Sequence, residues 1–134
     1  MAGAIHHIDI SVRDLVRSTR FYDDVMPLMG FRRSADVPEG PIWSGESCEV
    51  GLVAARTVDT REHDRATPGL HHLAFAAPGR VAVELLHVAL LRLGARVLDA
   101  PAEYPQYASG YYALFFADPD GIKLEYVHTL RWLA

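Results

Sequence analysis

"IHHIDISV", residues 5–12, has a near-copy in "LHHLAFAA", residues 70–77. Each stretch opens with an apolar residue and two histidines, then continues as a strand-like run. Together they use four of the seven histidines in the chain. A second pair, "LMGF" (28–31) and "RLGA" (92–95), recurs at nearly the same offset. The chain therefore reads as two copies of one module.

The run between the paired stretches predicts a helix in each copy. In the first, Asp14 suits an N-cap. Leu15, Ser18, Tyr22, Val25 and Met29 follow at helical spacing, with Arg17 and Arg20 facing out. In the second, Arg80, Glu84 and His87 mark one polar stripe. Gly30 and Gly94 stand where a helix C-terminal glycine belongs, and Pro27 ends or distorts the first helix early. Shorter strand-like runs follow: "FRRSADV" (31–37), "PIWSG" (41–45) and "CEVGLVAA" (48–55) in the first half. The second half offers "ARVLDA" (95–100), "GYYALFFA" (110–117) and "GIKLEYVH" (121–128). "DPDG" (118–121) is a turn between the last two, with Asp118 and Asp120 as its turn formers. The polar stretch 56–69 reads as a linker. The expectation is an α+β chain, residues 1–134 as a single domain, built from two tandem βαβββ modules at about 4–55 and about 69–130.

Bulk properties narrow the partners. The chain has 134 residues, 50% hydrophobic and 22% charged, which suits a globular protein with a real core. The net charge is −4 with no basic block, so neither nucleic acid nor an anionic membrane surface is an expected partner. No apolar run is long enough to span a bilayer, and the first residues lack the features of a signal peptide. Cys48 is the one cysteine and has no internal disulfide partner. A cytoplasmic location is the simplest expectation.

Alternation along the strands sorts their faces. Ile8, Ile10 and Val12 share a side with His6, and the helix must cover that side. His7, Asp9 and Ser11 take the other. In the second copy Leu73 and Phe75 go with His71, and His72 goes with Ala74 and Ala76. In the last strand Ile122, Leu124 and Tyr126 form the apolar face, and Glu125 points the opposite way. Three possible metal ligands, His7, His72 and Glu125, thus lie on faces that do not meet the helices. They could converge if those faces form one cleft. The competing reading is that such histidines are structural, as His6 and His71 are expected to be, capping or bonding backbone.

These residues resemble a known family. "HIDISVRDLVRSTRFYDDVMPLMGF", "GLHHLAFAAPG" and "FFADPDGIKLEYVH" are similar, in that order, to the opening, second-module and closing motifs of the vicinal oxygen chelate superfamily, the glyoxalase, bleomycin resistance and extradiol dioxygenase group. The resemblance covers nearly the whole chain. It implies paired βαβββ modules whose curved sheets enclose a metal-binding cleft. It also implies a divalent metal (Fe, Ni, Zn or Mn) held by His7, His72 and Glu125, a small-molecule substrate bound through two oxygens, and a homodimer. Lactoylglutathione lyases of this family typically add a fourth ligand on the last strand of the first module. Here Gly51 stands at that position, and Glu49 would serve only after a two-residue shift in register.

Two histidines and one carboxylate leave one side of a metal open. A metal so held acts as a Lewis acid toward an enolate or similar oxyanion, or activates O₂ if it is redox-active iron. Asp9, on the face of His7, is a candidate base or ligand-orienting group, against the alternative of a solvated carboxylate. The segment 101–112 reads as a loop at the cleft mouth, and Tyr107 is the candidate substrate-facing hydroxyl. Trp43 is a candidate cleft wall, with core packing as the alternative. Arg56 is a candidate contact for an anionic substrate. The leading expectation is a metal-dependent lyase, isomerase or dioxygenase. The alternatives are a metal-free drug-binding protein of the bleomycin-resistance kind and a fosfomycin-resistance-like thiol transferase. The latter typically has Thr where this chain has Asp9.

Overall fold

A computed structural model describes residues 2–57 and 61–130. The chain divides into two compact units, Met1–Arg61 and Glu62–Ala134. Arg131 to Ala134 and residues 58–60 lie outside the described residues. Among the described residues, no helix is long and apolar enough to cross a membrane.

The first unit contains β1 (His7–Val12), α1 (Leu15–Val25), a 3-10 turn at Pro27–Met29, β2 (Arg32–Val37), β3 (Gly40–Ser44) and β4 (Glu49–Ala54). Asp14 caps α1 by accepting a hydrogen bond from the Arg17 amide at 3.1 Å. Pro27 cannot continue the helical ladder, and the chain tightens into the 3-10 turn before Gly30 closes it at φ 86°. The four strands lie in the order β1-β4-β3-β2, with β1 parallel to β4 and the other pairs antiparallel. Ile10, Val12, Val50, Leu52 and Trp43 are buried, together with Tyr22, Val25 and Met26 of the α1 segment. His7, Asp9 and Ser11 are exposed on the other side of β1.

The second unit repeats the plan with β5 (Leu73–Ala76), α2 (Arg80–Leu93), β6 (Arg96–Glu103), β7 (Tyr112–Ala117) and β8 (Lys123–His128). The order is β5-β8-β7-β6, again with the first strand parallel to the last. Val83, Leu86 and Leu90 of α2 are fully buried, as are Leu114, Phe116 and Leu124 of the sheet. Residues three and four apart share a helix face, so Val81, Leu85 and Leu91 fall on the outer side and stay exposed. The Asp118 carboxylate accepts from the Asp120 and Ile122 amides, both at 2.9 Å, and so holds the turn before β8. The opposite face of this sheet is also apolar: Ala113, Phe115 and Val127 are buried, with Leu98, Tyr104 and Tyr111 packed on them.

Each unit is thus a βαβββ module with an open four-stranded sheet, as the duplicated sequence implies. Two boundaries differ from the sequence expectation. β5 starts at Leu73, so His71 and His72 precede the strand rather than open it. β6 runs on to Glu103, through residues expected in a loop, because register shifts after Val97 and after Asp99 let the strand pass Pro101.

Candidate functional site

The second unit brings two of the expected ligands together. His72 Nε2 lies 3.0 Å from Glu125 Oε1. Glu125 sits in β8 opposite Ala74, and His72 reaches it diagonally from the backbone entering β5. The Tyr111 hydroxyl donates to the other oxygen, Oε2. Glu125 is only 2% exposed, and a buried carboxylate is tolerated only when its oxygens are answered. Burial first, and the bond to Glu125 second, push the Tyr111 phenol above its ordinary range, so it remains a donor at neutral pH.

Aromatic rings surround this pair. Phe115 meets the His72 ring edge-on at 6.1 Å and the Tyr104 ring at 5.6 Å. The Lys123 ammonium stands 4.5 Å from the Phe115 centroid, within cation–π range. Tyr107 stacks on Tyr104 at 5.6 Å and remains 58% exposed. The hydroxyl that meets Glu125 belongs to Tyr111, which sequence reasoning passed over. The signal was present: Tyr111 has the parity of Phe115, which pairs with Glu125 across β7 and β8.

The first unit places His7 and Asp9 on one face of β1. His7 Nε2 lies 3.8 Å from Asp9 Oδ2, beyond hydrogen-bond length. In register, His7 pairs with Glu49 and Asp9 with Gly51. Gly51 therefore holds the place in this module that Glu125 holds in the other. Glu49 faces His7 instead, and its Oε1 accepts from the Ser44 hydroxyl at 3.1 Å. His7, Asp9, Glu49, Gly51 and Pro41 help line a pocket of about 300 Å³.

Two other candidates lie apart. Trp43 is fully buried beside Tyr22 and donates from Nε1 to Asp23 at 3.0 Å. It pairs with Val50, on the helix-facing side of the sheet and away from His7. Arg56 is exposed just after β4. Among the described residues, no three His, Cys, Asp or Glu side chains within either unit are grouped so as to hold an ion by themselves.

The adjacent histidines also touch. His6 Nδ1 is 3.0 Å from His7 Nδ1, and His71 Nδ1 is 2.8 Å from His72 Nδ1. The expected backbone role of His6 and His71 gives way to these contacts. They are open because neither His6 nor His71 lies within a pleated strand, where neighbours must diverge.

Comparison with known proteins agrees with this architecture. The uncharacterised protein YqjT of Bacillus subtilis is 32% identical over 124 residues, covering 92% of this chain and 97% of that protein. The crystal structure of a glyoxalase candidate from Bacillus halodurans superposes with a TM-score of 0.80 at 28% identity, over 96% of this chain and 97% of the other. The fosfomycin resistance protein FosX of Listeria monocytogenes shares the fold at a TM-score of 0.71 and 17% identity, over 97% of each chain. The family model of the Glyoxalase/Bleomycin resistance protein/Dioxygenase superfamily matches residues 4–126. With two βαβββ units in tandem and that match across nearly its whole length, the chain belongs to the glyoxalase/bleomycin resistance protein/dioxygenase superfamily.

Proposed function

We propose that the protein is a metal-dependent enzyme acting on a small substrate that binds through two oxygens. His72 and Glu125 hold a divalent ion, and His7 supplies the third protein donor. The observation that carries this reading is the 3.0 Å approach of His72 Nε2 to the buried Glu125 carboxylate. The donor chemistry fits: two imidazoles and a carboxylate suit iron, nickel, zinc or manganese. A carboxylate that is 2% exposed, answered by an imidazole and a phenol, also fits a cation partner. When bound, the ion supplies Lewis acidity toward an enolate-type oxyanion of the substrate, or O₂ chemistry if it is iron.

The chain's own groups take the remaining roles. Tyr111 fixes the orientation of Glu125 through Oε2. Asp9, exposed in the pocket beside His7, is the carboxylate that takes a substrate proton. Tyr107, exposed above Tyr104, contacts substrate. The two modules act as one domain, in a cytoplasmic homodimer.

Elemental mass spectrometry on protein purified without a polyhistidine tag tests the reading, beside His7→Ala and Glu125→Ala. Near-stoichiometric metal lost in both variants supports it. Iron points to dioxygenase chemistry; nickel, zinc or manganese points to a lyase or isomerase. Absence of metal after reconstitution, with both variants unchanged, overturns it in favour of a metal-free binding protein.

A further inference from the structure

We propose that the outer face of α2 is the surface on which two copies of this chain pair, their helices antiparallel about a two-fold axis beside Val88. The proposal deepens the homodimer reading given above and does not depend on a metal.

The two modules share one plan, but their helices differ in what they turn outward. On α1 the outward positions hold Val16, Arg17, Arg20, Asp23 and Asp24, a mostly charged face that suits water. On α2 they hold Val81, Glu84, Leu85, Val88, Leu91 and Arg92. Val81, Leu85 and Leu91 are 68%, 61% and 60% exposed, and Val88 is 44% exposed. They are not spare members of the core, because Val83, Leu86 and Leu90 already fill the sheet side of α2 and are fully buried. The spacing of 81, 85, 88 and 91 keeps all four on one face. Single exposed apolar side chains need no explanation, but a continuous row along a helix marks a contact surface.

The charges within the row select the occupant. Glu84 and Arg92 stand four residues either side of Val88, about 6 Å along the axis in each direction. A two-fold axis beside Val88 exchanges those directions. Glu84 of one copy then comes level with Arg92 of the second, and the pair forms twice. Leu85 comes level with Leu91, and Val88 meets its own copy. At the usual interaxial distance of about 8–10 Å, glutamate and arginine side chains span the gap. A parallel pair would instead oppose Glu84 to Glu84 and Arg92 to Arg92. Among the described residues, Arg92 has no carboxylate partner. Glu84 accepts from the Tyr112 hydroxyl at Oε1 across 3.1 Å, which steadies the carboxylate and leaves Oε2 for a cation. The face is therefore complementary to itself, as an isologous interface requires. A lipid surface would cover the apolar row but leave Glu84 unanswered in an apolar medium.

Analytical ultracentrifugation of the full chain over a dilution series tests the proposal. One helix pair is a small interface, so the wild-type dimer should dissociate on dilution. Val88→Glu places two like charges at the axis and should raise the dissociation constant at least about 100-fold. Arg92→Glu creates two glutamate–glutamate contacts and should raise it about 2–30-fold. Adding Glu84→Arg to Arg92→Glu should return it toward the wild-type value. Val88→Glu and Arg92→Glu change exposed side chains, so both should keep the wild-type circular dichroism spectrum. With Cys48→Ser, Val88→Cys should link to its own copy on oxidation, and Val16→Cys on α1 should not. A wild-type dimer that Val88→Glu leaves equally tight overturns this surface while the homodimer reading stands. A wild-type monomer at every concentration overturns both. A double charge reversal weaker than Arg92→Glu alone overturns the antiparallel pairing.

Discussion

Gly51 and Asp9 face each other across the β1–β4 pair, and a Cβ on residue 51 would stand 2.6 Å from Asp9 Oδ1. The carboxylate of one strand thus fills the space that a side chain on the other would need. The atom in the way is the end of a rotatable side chain, so Gly51→Ala should displace Asp9 rather than break the sheet. Gly51 has no positive φ, and alanine lowers the entropy of the unfolded chain. Thermal unfolding of Gly51→Ala should therefore stay within about 1 kcal/mol of wild type. In the Asp9→Ala background the same change should be more favourable. Strict additivity of the two substitutions would show that the side chains do not compete for this space.

Tyr111 and Glu125 should be coupled energetically. Tyr111→Phe removes a donor from a carboxylate that is 2% exposed. Hydrogen bonds to charged groups contribute about 1.5–3 kcal/mol, so urea unfolding should show a loss of that order. Tyr107→Phe, at an exposed ring, should cost less than about 0.5 kcal/mol. Equal losses in the two variants would contradict the bond.

The tyrosines should ionise late. Burial first raises the phenols of Tyr104, Tyr111, Tyr112 and Tyr126 above their ordinary value. At Tyr111 and Tyr112, bonds to Glu125 and Glu84 add to this. Ultraviolet titration should find most of the six tyrosines ionising above the usual range. Once pH passes about 10, the unfolded chain releases these protons before the folded one. Stability should then fall as pH rises, and these groups should leave it unchanged below that range. A single tyrosinate transition at the ordinary pKa would contradict the burial.

Metal should stabilise the fold through His72. A ligand that binds only the native state adds about 2.7 kcal/mol at one hundred times its dissociation constant. Zn²⁺ should raise the melting temperature of the wild type and leave that of His72→Ala unchanged. An equal rise in both would place the ion elsewhere.

Trp43 should matter to the fold and not to the site. It is fully buried and bonded to Asp23, on the sheet face opposite His7. Trp43→Phe loses that bond and leaves a small void, so a cost of about 1–3 kcal/mol is expected by denaturant unfolding. Zn²⁺ affinity should be unaltered.

Much of this was legible in the residues. Asp14, Pro27, Gly30 and Gly94 act within a turn of where they stand, so both helices and their ends could be read from local chemistry. The duplicated histidines marked the parallel first strands, and parity separated Glu125 from its apolar neighbours. What escaped depends on register. Trp43 could face either side until its pairing with Val50 was known. The bulges that carry β6 past Pro101 leave no periodic trace. The histidine contacts were hidden because alternation was assumed to reach residues that precede or only begin the strands.

In both modules the first strand pairs, in parallel, with the last. A helix and two strands must be made before that pairing can close. His72 therefore waits for almost the whole second module before its partner Glu125 exists, and the entropy of closing that loop falls on the final step. A nascent chain that has reached β7 has no strand to pair with β5, whose backbone groups are left to water. Completion of β8 pairs that strand and brings His72 and Glu125 within reach of each other in a single event.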